Sequence, residues 1–252
     1  MKLCVIGGAG ARSAFLTKSL VKSAREIRVD HIVLLDNNEE HLRTYGQISK
    51  ELEPSLTFDI TSDARGALTG ADYIITTIRA GGDAGRLFDE KTCLAHGVLG
   101  QETTGAGGFA MAIRSVPTLV YYCTLAREVS NPGHLIFNFT NPSGIITQAL
   151  RSCGFANVYG ICDAPSGFIK QLEEILNVPY GALDIECCGL NHLSWFRNAK
   201  LDGRDVQEEL LNNPRTYQHS EMRLFTREMA RLSGECMLNE YLYFYYRREK
   251  SL

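Results

Sequence analysis

The stretch that decides the fold is Lys2-Leu3-Cys4-Val5-Ile6-Gly7-Gly8-Ala9-Gly10-Ala11-Arg12-Ser13. The apolar run over 3–6 reads as a buried strand, the glycines as a tight turn, and the pattern after them as a helix to about Ile27. A glycine turn between strand and helix lets the backbone approach a pyrophosphate, which the helix N–H groups and dipole then stabilise. The spacing from Gly8 is Gly-x-Gly-x-x-Ser, with Ser13 where the full dinucleotide fingerprint has a third glycine.

A second strand, His31 to Leu35, ends at Asp36, close to the interval at which a carboxylate holds a ribose hydroxyl. An acid there argues against a cofactor with a 2′-phosphate, so NAD is expected rather than NADP. The expected cofactor contacts are Gly7, Gly8, Gly10, Ser13 and Asp36. Asn37-Asn38 cap a helix to about Leu52, Phe58–Thr61 makes a short strand, and Tyr73–Ile78 a strong β-branched one. Leu135–Phe139 and Val158–Ile161 follow with helical stretches between them. Strands alternating with helices predict an α/β, Rossmann-like, doubly wound and mostly parallel sheet.

Composition narrows the partners. The chain has 252 residues, 44% hydrophobic and 22% charged, with a net charge of -3, so it offers no basic field for nucleic acid. The apolar start is too short for a signal-peptide core and no later segment reads as a membrane span, so a cytoplasmic protein with a small soluble ligand is expected. Its eight cysteines are dispersed and show no Cys-x-x-Cys spacing, which predicts free thiols.

At Val158-Tyr159-Gly160-Ile161-Cys162-Asp163-Ala164-Pro165 a strand ends in a thiol and a carboxylate before a helix opens. Open α/β sheets bind ligands at that edge, although a buried thiol and a helix-capping Asp explain the same octapeptide. Asn141 precedes Pro142, which holds it extended. Arg86 alone reads as a surface cation, and the glycine-rich loop over 100–108 should cover the cofactor edge. His192 stands at the entrance of two antiparallel strands that turn at Asp202-Gly203, and with a thiol it makes half of an open metal site. The tail reads as two helices, over 222–232 and 238–246, and the chain looks cut short. A cofactor domain is expected over 1–180, followed at 181–252 by the start of a second, α+β substrate and metal domain.

Five motifs then carry a resemblance: Gly-Gly-Ala-Gly at 7–10, Gly-Gln-Glu-Thr-Thr-Gly at 100–105, Asn-Phe-Thr-Asn-Pro at 138–142, Cys-Asp-Ala-Pro at 162–165 and Gly-Leu-Asn-His-Leu at 189–193. The chain resembles glycoside hydrolase family 4, and most of all its 6-phospho-β-glucosidases, in family order across nearly its whole length. The resemblance implies NAD and a divalent metal, usually Mn2+, held by Cys162 and His192. It further implies that Arg86 and Asn141 contact a phosphorylated sugar and that Tyr241 is the base.

The chemistry so implied is oxidation at sugar C3 by NAD, deprotonation at C2 and elimination at C1, outside the two-carboxylate glycosidase scheme. Asp163 stands where the β-specific members have Asn and resembles the leaving-group acid of α-specific members, which brings in a 6-phospho-α-glucosidase as an alternative. An NAD-dependent 2-hydroxy-acid dehydrogenase and a truncated, non-catalytic NAD-binding protein are further alternatives. A homo-oligomer is implied where the interface survives in so short a chain.

Overall fold

The computed structural model describes residues 1–52 and 56–251, with backbone alone at 20–22, 24, 25 and 251. The chain divides into two compact units, Met1–Lys91 with Gln101–Ile161, and Thr92–Gly100 with Cys162–Leu252.

The first unit runs β1 (Lys2–Ile6), α1 (Ala11–Ile27), β2 (His31–Leu35), α2 (Glu39–Leu52), β3 (Thr57–Thr61), α3 (Ala64–Leu68), β4 (Tyr73–Thr76), α4 (Gly82–Ala95), α5 (Gly105–Val129), β5 (Leu135–Asn138), α6 (Ser143–Ser152) and β6 (Val158–Gly160), with the last turn of α4 belonging to the second unit. The six strands are parallel, in the order β3-β2-β1-β4-β5-β6. This is the doubly wound dinucleotide-binding order, which reverses between β1 and β4 and opens a crevice beyond their carboxyl ends.

Alternate residues of β1 and β2 feed two cores, as a strand period of two requires. Cys4, Ile6, Val33 and Leu35 pack with Leu119, Ile136, Ile146 and Val158 on one face. Leu3, Val5, Ile32 and Leu34 pack with Leu42 and Phe58 on the other. Burial on both faces explains why these strands are almost continuously apolar.

Helix α5 departs from expectation twice. It begins at Gly105, so half of the anticipated loop is helical, because Gly107 and Gly108 let its first turn lie on the backbone of Gln101 and Thr103, where a Cβ would come within 2.5 and 2.8 Å. It is also long and apolar enough, by length and composition alone, to cross a membrane, contrary to the sequence expectation. Its Met111, Leu119, Cys123 and Ala126 are all buried.

The second unit runs α7 (Ala164–Leu176), β7 (Leu183–Leu190), β8 (Leu193–Leu201), β9 (Arg204–Asp205), α8 (Gln207–Asn212), α9 (Thr216–His219), a 3-10 helix over Glu221–Leu224, α10 (Arg227–Leu232), β10 (Met237–Leu238), α11 (Leu242–Tyr246) and α12 (Arg248–Ser251). Its small sheet is antiparallel, β10-β8-β7 with β9 on β8. Asp202 and Gly203, at φ 49° and 80°, make the anticipated hairpin turn. The core centres on Phe168 and Phe196, fully buried and edge-to-face at 4.8 Å.

The tail corrects the expectation of two helices. The first breaks where Thr226 caps α10, its hydroxyl accepting from the Met229 N–H at 3.3 Å. Leu238, expected to start the second, is in a strand paired with Trp195. Helical spacing in the tail gives way to the unpaired edge of β8. All eight cysteines are free thiols, as expected.

Candidate functional site

The glycine turn is built for close approach. Gly7 has φ 95°, and a Cβ there would fall 2.7 Å from the Thr77 carbonyl, while one on Gly8 would fall 2.7 Å from Leu34. These two glycines therefore seat the turn against β2 and β4. At Gly10 a Cβ would meet only the Gly7 carbonyl oxygen, at 3.8 Å, so this side faces open space at the amino end of α1, which no side chain caps.

Asp36 ends β2, and its carboxylate accepts from the Ala9 N–H at 3.1 Å and the Asn38 N–H at 3.0 Å. It is thereby held in the wall of a crevice of about 800 Å3 that Gly7, Gly10 and Asn141 also line. Ser13 does not line it. Its side chain is buried and its hydroxyl donates to the Gly8 carbonyl at 2.8 Å, so it braces the turn from within. Arg12 and Phe139, to which the sequence assigns no role, meet in the crevice wall with the guanidinium 4.4 Å from the ring centre.

Arg86 and Asn141 converge on one carboxylate. Glu102 Oε1 receives Asn141 Nδ2 at 3.4 Å, Arg79 Nη2 at 3.2 Å and Arg86 Nη1 at 3.5 Å, and Arg86 also donates to Glu90 at 2.8 Å. Glu102 Oε2 is buried without a protein partner among the described residues. The sequence marks Glu102 only as part of a motif and Arg79 only as the start of a loop after a strand, and gives neither a role. Arg79 lies in the polar loop that leaves β4 and Glu102 in the polar loop between α4 and α5, and only the fold makes those loops meet.

The second unit assembles the remaining candidates. Cys162 Sγ lies 3.3 Å from His192 Nε2 and 3.8 Å from Asp163 Oδ1. His192 completes the tight turn from β7 to β8 at φ 60°, a left-handed conformation that costs a non-glycine residue roughly 1–2 kcal/mol. Gly189, at φ 121°, is obligatory beside it, since a Cβ would fall 2.4 Å from the Leu193 carbonyl oxygen. The His192 ring stacks on Tyr241 with centroids 4.4 Å apart. Asp163 takes the position before α7 but makes no side-chain cap, so the capping explanation of this residue fails. Burial pushes the Cys162 thiol up and the His192 imidazole down.

A thiolate and an imidazole bound to one metal at about 2.3 and 2.1 Å, with a right to tetrahedral angle between them, stand about 3.1–3.6 Å apart. The Cys162–His192 separation of 3.3 Å fits that range. Among the described residues no group of three or more His, Cys, Asp and Glu is arranged for a metal. His192 Nδ1 is buried without a protein partner among the described residues, and the Asn191 side chain hydrogen-bonds the Cys162 thiol.

Fold and site thus define an α/β protein of the dinucleotide-binding type with a thiol–imidazole–phenol cluster in a second unit. The family model "Family 4 glycosyl hydrolase" matches residues 2–178, and that of the family's C-terminal domain matches residues 187–251. The chain belongs to glycosyl hydrolase family 4. It is 35% identical to a 6-phospho-β-glucosidase of Thermotoga maritima, over 84% of this chain and 51% of that one. It is also 35% identical to a phospho-α-glucosidase of Clostridium acetobutylicum, over 77% and 45%. The solved structure of the Thermotoga maritima 6-phospho-β-glucosidase with manganese, NAD+ and glucose-6-phosphate superposes with a TM-score of 0.91 at 32% identity, covering 100% of this chain and 60% of that one. The chain spans about half the length of the curated relatives it matches.

Proposed function

We propose that the chain hydrolyses 6-phospho-β-glucosides with NAD and a divalent cation, Mn2+ by preference. The single observation that carries this reading is the cluster in which Cys162 meets His192 at 3.3 Å and Tyr241 stacks on the same imidazole. NAD would supply the hydride acceptor for C3 of the sugar, and the cation the Lewis acidity that makes the neighbouring C–H removable.

The chain's own residues then have separable tasks. The Gly7–Gly10 turn and the amino end of α1 receive the cofactor pyrophosphate, and Asp36 accepts from its ribose hydroxyls. Cys162 as thiolate and His192 as neutral imidazole hold the cation. Arg86 and Asn141 orient the phosphorylated sugar, and Tyr241 takes the proton from C2 as general base.

A second reading, the 6-phospho-α-glucosides, is favoured by Asp163. Its side chain is exposed, leaves α7 uncapped and lies next to Cys162, where its acid form would protonate a departing oxygen. The experiment is release of nitrophenol by the 252-residue chain from nitrophenyl 6-phospho-β-glucoside and its α-anomer, with and without NAD and Mn2+. Turnover of the β-anomer that needs both additions is expected. Faster turnover of the α-anomer would transfer the assignment to the second reading, and net NADH formation on a hydroxy acid would overturn both.

A further inference from the structure

Tyr241 is held by a buried carboxylate that no sequence pattern marks. Glu221 opens the 3-10 helix and is 7% exposed. Its Oε2 accepts from Asn239 Nδ2 at 2.9 Å and from the Glu240 backbone N–H at 3.0 Å. Asn239 is 1% exposed, and its other groups bind the same turn. Its Oδ1 accepts from the Tyr241 N–H at 3.2 Å, its carbonyl accepts from the Leu242 N–H at 3.1 Å, and its own N–H donates to the Ser194 carbonyl at 3.0 Å.

The bond to Ser194 and one further bond lead to the elements carrying the other members of the cluster. Ser194 follows His192 at the start of β8, and the Glu221 N–H donates at 2.9 Å to Gln171 of α7, the helix that begins just after Cys162. We propose that Glu221 is a positioning residue, fixing the Asn239-Glu240-Tyr241 turn so that the phenol ring lies on the His192 imidazole. The placement stands on these hydrogen bonds, and its catalytic consequence rests on the reading of Tyr241 as the base. An apolar side chain of similar size would fill the space and avoid desolvating a carboxylate, but it would leave the Asn239 and Glu240 donors unpaired.

The test reads the stacking itself. Ring currents from Tyr241 displace the His192 ring-proton resonances, which H192Q assigns and for which Y241A gives the unstacked reference. They are compared in the wild-type chain, E221Q, E221D and E221A, with far-ultraviolet circular dichroism reporting the fold. E221Q keeps an oxygen that accepts both hydrogen bonds and should leave the His192 resonances at their wild-type positions. E221D, one methylene too short, and E221A should move them toward the Y241A positions.

Wild-type positions in E221D would overturn the proposal even if the chain melts earlier, because stability alone would then be affected. Displacement in E221Q as large as in E221D would overturn it as well. Should E221A fail to fold, E221D against E221Q decides. Where the chain turns over phosphoglucosides, E221D should lower kcat with KM little changed and E221Q should restore it. Absence of turnover in the wild-type chain would sink the proposed function and leave the resonance comparison standing.

Discussion

The imidazole of His192 stacks on the phenol ring of Tyr241, with centroids 4.4 Å apart and planes inclined at 27°. The other edge of the same imidazole faces the Cys162 thiol at 3.3 Å. One side chain thus touches both the second candidate metal ligand and the candidate base, although the three lie far apart in the chain. A proton acceptor next to a bound cation is the arrangement that favours a tyrosinate, since a nearby positive charge stabilises the ionised phenol.

Tyr241→Phe keeps the ring on His192 and removes only the phenolic oxygen. It should lower kcat on 6-phosphoglucosides by about 10²–10⁴-fold, the usual range for loss of a general base. Mn2+ affinity, measured by titration calorimetry, should stay near wild type. An equal loss of cation binding would show that the phenol serves the metal site and not the proton transfer.

Gly189→Ala places a methyl group 2.4 Å from the Leu193 carbonyl oxygen at a φ of 121°. The β7–β8 turn must then open or shift, at a cost on the order of 1–3 kcal/mol or more. Urea unfolding should show the loss of stability, and the same variant should bind Mn2+ more weakly because His192 sits in that turn.

Asp36→Ala removes the acceptor of the Ala9 and Asn38 N–H groups. It should weaken NAD binding at least about tenfold, the effect of losing one charge-assisted hydrogen bond of roughly 1.5–3 kcal/mol. Fluorescence titration with NADH measures it. Ser13→Ala, which alters a hydroxyl turned into the core, should instead act on stability.

Burial pushes the Glu221 carboxyl from its ordinary 4.5 up to about 7, with Glu240 raising it further and the Glu240 N–H and Arg223 opposing. Between those two values the folded chain holds a proton that the unfolded chain has released, so stability falls as pH rises through the window. The contribution is complete below pH 4.5 and gone above about 7, and amounts to roughly 3 kcal/mol. Denaturant midpoints across the window should decline for the wild-type chain and decline less for E221Q.

Local patterns made the first unit legible. The run Leu3–Ile6, the turn at Gly7–Gly10 and the β-branched strand from Tyr73 each specify an element within a few residues, and alternating strands and helices leave few topologies open. The tail was less legible, because Leu238 takes its conformation from pairing with Trp195, far upstream. Glu102 and Glu221 were illegible as site residues for the same reason. Glu102 is defined by donors on Arg79, Arg86 and Asn141 and Glu221 by donors from the Asn239-Glu240 turn, all distant in sequence, and nothing in the neighbourhood of either residue marks it. Ser13 shows the reverse case, a residue in the right motif whose hydroxyl turns inward.

The measurement that tests the central claim most directly is deuterium incorporation at C2 of the glucose-6-phosphate formed when the chain turns over nitrophenyl 6-phospho-β-glucoside in D2O with NAD and Mn2+. Removal of the C2 proton by Tyr241 predicts product carrying solvent deuterium at C2. Turnover that yields glucose-6-phosphate with its original C2 proton would contradict the account and point to direct displacement at C1.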